Sequence, residues 1–126
     1  MDYAIRGQKP EYLGFLCTEQ SLAVIDKLIS QHLFPQERWR REIVDARDIT
    51  DVRAKANFMI DWFLRQGLGP ESIVVDATGG LTPMSLGAFS VAQEGQIDSQ
   101  YVRSQYEGNK PVPGTQELVF LSHFPR

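Results

Sequence analysis

The apolar run Ile73-Val74-Val75 leads without a break into Asp76-Ala77-Thr78-Gly79-Gly80-Leu81-Thr82-Pro83-Met84, which reads as strand, glycine turn and helix start. Val74 and Val75 are β-branched within a short continuous apolar stretch, the pattern of a strand buried on both faces of a parallel sheet. Gly79 and Gly80 remove two Cβ atoms where the chain must turn, so the backbone can take positive φ and approach a ligand closely. Pro83 pushes Thr82 toward an extended conformation that suits an N-cap, and itself suits the first helical position. Peptide N–H groups and the positive end of a helix dipole then face one space, which favours an anion.

The rest of the chain supplies the frame. Tyr12 to Leu16 predicts a first strand. Thr18-Glu19-Gln20-Ser21 provides polar caps for a helix bearing Leu22, Val24, Ile25, Leu28 and Ile29 on an apolar stripe. Trp39 to Val44 predicts a second strand, whose charges Arg40, Arg41 and Glu42 suggest an edge or a wet face. Val52, Ala56, Met59, Ile60, Phe63 and Leu64 recur at helical spacing, and Gly67 and Gly69-Pro70 end that helix. The helix from Pro83 to about Ala92 is apolar nearly all round and so is expected to be buried. Gln100 to Tyr106 and Glu117 to Phe120 predict strands joined through Gly108 to Gly114. The order β-α-β-α-β-α-β-β predicts an α/β fold, a three-layer Rossmann-like sandwich with a mostly parallel sheet and a C-terminal antiparallel hairpin. Ligands of such sheets bind beyond the carboxyl ends of the strands, where 17–21, 45–50 and 76–84 lie.

At 126 residues with 42% hydrophobic composition, the chain supports one domain with a real core, taken as residues 12–122 after a linker-like polar lead at 1–11. A net charge of −3 argues against nonspecific binding to duplex nucleic acid, which needs a surplus of Lys and Arg. The single cysteine, Cys17, excludes an internal disulfide framework and fits a reducing, cytoplasmic setting. No run approaches the roughly 18 apolar residues of a membrane span.

With these residues in view, Asp76-Ala77-Thr78-Gly79-Gly80-Leu81-Thr82-Pro83-Met84-Ser85 resembles the D-x-T-G-G-x-K-x-M-S signature of CRISPR-associated Rossmann-fold (CARF) domains, which sense cyclic oligoadenylates in type III CRISPR antiviral defence. The resemblance spans about Tyr12 to Leu121, although only the central motif is specific. It implies a homodimer whose two-fold cleft holds a cyclic tetra-adenylate, or a cyclic hexa-adenylate, as ligand and needs no further cofactor. It also implies an allosteric link to an effector domain elsewhere in the parent chain. By position, Asp76, Thr78, Gly79, Gly80, Leu81, Thr82 and Met84 are expected around phosphate and ribose, with Thr18, Gln20 and Ser21 from the first turn. The resemblance also implies that loops Asp45 to Thr50 and Gly108 to Lys110 cover the ring, with Arg47 and Lys110 as their cations. The family commonly has lysine where this chain has Thr82, which removes a point charge and a candidate for stabilising ring cleavage. The expectation is therefore a sensor that binds without efficient catalysis, the alternative being a standalone ring nuclease that cuts the cyclic ligand.

Plainer roles stand beside these. Asp76 at a strand end can cap the amides of the turn. Cys17 reads as a small buried side chain, His32 as a partner of a helix dipole and His123 as part of a C-terminal tail, with no metal-ligand spacing. Met59, Trp62 and Phe63 read as packing, and Arg38, Arg40 and Arg41 as a solvated surface.

Overall fold

The computed structural model describes residues 2–78 and 82–125, apart from the side chain of Thr82. Gly79, Gly80 and Leu81, and any contact of the Thr82 side chain, thus lie outside the described residues.

The chain alternates helices and strands: α1 (Asp2–Gln8), β1 (Leu13–Cys17), α2 (Leu22–Gln31), β2 (Trp39–Ile43), α3 (Ile49–Arg65), β3 (Val74–Asp76), α4 (Thr82–Glu94), β4 (Asp98–Arg103), β5 (Tyr106–Glu107), β6 (Lys110–Pro111) and β7 (Glu117–Ser122). β1 pairs with β2 in parallel, Leu13 opposite Trp39 and Cys17 opposite Ile43. β3 pairs with β4 in parallel, and β4 with β7 antiparallel. Parallel neighbours need a crossover rather than a tight turn. α2 and α4 supply the two crossovers, so the fold is mixed α/β with parallel and antiparallel pairing, compatible with a Rossmann-like arrangement.

Burial explains the helices. α2 turns Ile25, Leu28 and Ile29 inward, and Ile25 and Ile29 meet Phe15 and Cys17 of β1. α3 starts where the Asp48 carboxylate accepts the N–H groups of Thr50 and Asp51 at 3.0 and 3.3 Å, a side-chain cap. It buries Val52, Ala56 and Met59. Its partly buried Ile60 and Phe63 pack on the second cluster, Ile73, Ala92 and Ile97. One long helix therefore underlies both strand pairs. α3 and α4 approach closely because Gly87 has no side chain: a Cβ there would lie 2.7 Å from Cγ1 of Val52.

Several expectations change. The polar lead at 1–11 contains a helix, α1, whose Ala4 and Ile5 are buried and whose Asp2 carboxylate meets both His32 and Arg6 at 2.8 Å. The third strand is Val74–Asp76, not Ile73–Val75. Ile73 is buried, yet Val74 is 39% exposed, so the strand is not covered on both faces. The reason is its position, since among the described residues β3 pairs only with β4. α4 is likewise not buried all round: Val91 and Ala92 face the core, whereas Leu86 is 53% exposed. The fourth strand begins earlier and ends earlier than its apolar content suggests, at Asp98 and Arg103. The C-terminal hairpin exists as β4 with β7, but the connection carries the β5–β6 ribbon, Glu107 opposite Lys110. Among the described residues no helix is long and apolar enough to cross a membrane.

Candidate functional site

β3 delivers Asp76 to the strand end, and its carboxylate is held by a donor on each oxygen. Oδ1 accepts the N–H of Thr78 at 2.8 Å, and Oδ2 accepts Nε2 of Gln100 at 3.0 Å. The first bond is an Asx-type turn closure, the plainer role expected of this residue. Thr78 is tied down in turn, its hydroxyl oxygen accepting the N–H of Val102 at 2.6 Å. The Ala77 N–H donates to the Gln100 carbonyl at 2.9 Å. The Ser85 hydroxyl, one turn into α4, donates to the Ala77 carbonyl at 3.3 Å. Strand end and helix start are thereby tied to β4.

Beneath this junction lies a cavity of about 630 Å³ between β1 and β3, closed by α1 and α3. Asp76, Thr78 and Met84 line it, with Gln8, Ser85 and Gln100. Met59, Ile60 and Phe63 give it an apolar floor. Among its described lining residues there is neither lysine nor arginine.

Of the remaining expected site residues, Thr18 and Ser21 follow β1 and bond mainly to each other. Ser21 Oγ accepts the Thr18 N–H at 3.1 Å and donates to the Thr18 carbonyl at 3.0 Å. Gln20 is exposed in the short 3₁₀ turn Glu19–Ser21. Arg47 follows β2 with its side chain 89% exposed, 3.4 Å from Asp45. The Arg47 N–H, then its guanidinium, hold the Asp45 carboxyl below its usual range. Lys110 is exposed on β6. None of these residues lines the cavity. Cys17 is 1% exposed, and burial raises its thiol pKa, as fits a packing residue. His32 bonds Asp2 and His123 bonds Asp98, so each has a carboxylate partner. No cluster of metal-ligating side chains occurs among the described residues.

The sequence reading missed Gln8, Ser85 and Gln100 as part of this constellation. Ser85 had one usable signal, its place as the last residue of the motif, and Gln100 had none, its partners lying 24 and 92 residues away. Gln8 had none.

No protein-family model matches the chain, and no curated protein matches it. Among solved structures it overlays that of Can2 from Sulfobacillus thermosulfidooxidans in complex with cyclic tetra-adenylate, with a TM-score of 0.64 and 16% identity. The overlay covers 81% of this chain and 28% of the Can2 chain, so the sequence corresponds to well under half of Can2. At this identity the Can2 likeness establishes shared architecture.

Proposed function

We propose that residues 12–122 form a CARF domain, a three-layer Rossmann-like sandwich that binds cyclic tetra-adenylate across a homodimer. The strand–turn–helix junction at Asp76 carries this reading. Its carboxylate fixes the Thr78 peptide, Ser85 of the following helix bonds back to Ala77, and its fold is shared with Can2, a protein solved with that ligand. A symmetric ring suits two copies of one site, each presenting the same donors to half of it. The domain is cytoplasmic and passes ligand occupancy to an effector within the parent chain, in type III CRISPR antiviral defence. Binding without efficient cleavage follows from Thr82, a neutral side chain where the resembled signature has lysine.

The test is incubation of excess protein with cyclic tetra-adenylate, followed by separation of cyclic from linear species. Bound and largely intact ring is expected. Rapid conversion to linear product would make the protein a ring nuclease, and absence of binding would overturn the reading.

A further inference from the structure

Gln8 and Gln100 meet side chain to side chain, each Nε2 donating to the other's Oε1 at 2.8 Å. Gln100 is 2% exposed and sits directly opposite Asp76 in the β3–β4 register. Its Nε2 also donates to Asp76 Oδ2 at 3.0 Å, while Asp76 Oδ1 holds the Thr78 N–H at 2.8 Å. A continuous relay therefore runs from the last residue of α1, through β4, to the peptide that precedes Gly79-Gly80. Each oxygen of the carboxylate has one donor, so its plane is set by two bonds at once. Gln8 in turn uses both polar atoms of the Gln100 amide, which stops that amide from rotating away. Buried polar groups linked in this way orient one another, and removing an end member loosens the others.

We propose that Gln8 and Gln100 are positioning residues for Asp76 and the Thr78 peptide, making α1 part of the ligand site. This rests on the reading under Proposed function. α1 is seated independently through buried Ala4 and Ile5 and through Asp2 with His32, so it offers Gln8 a fixed platform. The relay bridges strands that share no backbone pairing: Gln8 leads into β1, and Gln100 belongs to the sheet of β3. Loss of either amide lets the Asp76 carboxylate turn and the Thr78 peptide move.

Two substitutions test it, each read by cyclic tetra-adenylate affinity and by hydrogen exchange at the Thr78 amide without ligand. Gln8→Ala should weaken ring binding roughly fivefold, about the size of one net hydrogen bond, and speed Thr78 exchange. Gln100→Glu places two carboxylates face to face, which cannot both stay ionised cheaply. Its ring affinity should be far below wild type at about pH 8 and recover toward about pH 5, as a shared proton restores the donor. Far-UV circular dichroism unchanged between the two pH values distinguishes this from unfolding relieved by the same protonation. Unchanged exchange and affinity in Gln8→Ala would overturn the relay, even if Gln100→Glu failed to fold. If the wild type bound no ring, Proposed function would fall, and the exchange comparison alone would decide the relay.

Discussion

The Thr78 hydroxyl oxygen accepts the peptide N–H of Val102 at 2.6 Å, joining the turn after β3 to the interior of β4. Val102 is 8% exposed, so that N–H has little access to water. Thr78→Val keeps the shape and removes the acceptor. It should cost about 1–3 kcal/mol, the penalty of a buried donor left unmade, whereas Thr78→Ser should retain most of the stability. Urea unfolding of the three proteins checks this, and equal midpoints would remove the bond from the account.

Gly87 sets the approach of α4 to α3. An added Cβ would stand 2.7 Å from Cγ1 and 3.1 Å from Cβ of Val52, which is 0% exposed and branched at the clash. Gly87→Ala should destabilise by about 1–3 kcal/mol through overpacking, despite a helix-propensity gain of about 1 kcal/mol. A thermal midpoint above wild type would show that the helices separate freely.

These relationships divide into those the amino-acid order displays and those it conceals. The periodic run Val52, Ala56, Met59 buries as its spacing demands, and Trp62 packs edge-on against Tyr12 and Phe63, with ring centroids 6.0 and 5.1 Å away. Periodicity makes such faces legible. α1 is not legible, because a helix of 7 residues carrying Gly7 has little propensity of its own and is held by tertiary contacts at Ala4, Ile5 and Asp2. The start of β4 is hidden for a related reason. Asp98 and Ser99 look like loop residues ahead of the strand expected from Gln100, yet Asp98 binds His123 and the Phe124 N–H while Gln100 binds Gln8 and Asp76. Their partners are 24 to 92 residues distant, beyond any local pattern. At the site, the motif revealed Asp76 and Thr78 but not the amides that orient them.

Cys17 should be inert in the folded protein. It is 1% exposed and its thiol pKa is raised, first by burial, so the thiolate that reacts with disulfide reagents is scarce at neutral pH. Thiol titration should show negligible native reaction and one equivalent on unfolding in denaturant. Prompt native reaction would mean that β1 opens.

Acid should weaken the fold through carboxylates held low. Asp2 is lowered first by its hydrogen bond to His32, and Asp45 first by the Arg47 N–H. Each folded pKa lies below the unfolded value of about 3.9. Their contribution is present above that value and is lost as pH falls through the lower folded one. Both groups are exposed, so the effect is small. Asp45→Asn keeps the amide oxygen as acceptor and removes the charge. Its thermal midpoint should fall less steeply than wild type below about pH 4, and parallel curves would contradict the assignment.

Calorimetric titration with cyclic tetra-adenylate, run beside Gly80→Val, addresses the central claim most directly. The account predicts saturable binding at one ring per two chains for the wild type. It predicts sharply weakened binding for the variant, because a side chain at Gly80 bars close backbone approach. Undiminished binding by a folded Gly80→Val protein, or one ring per single chain, would contradict it.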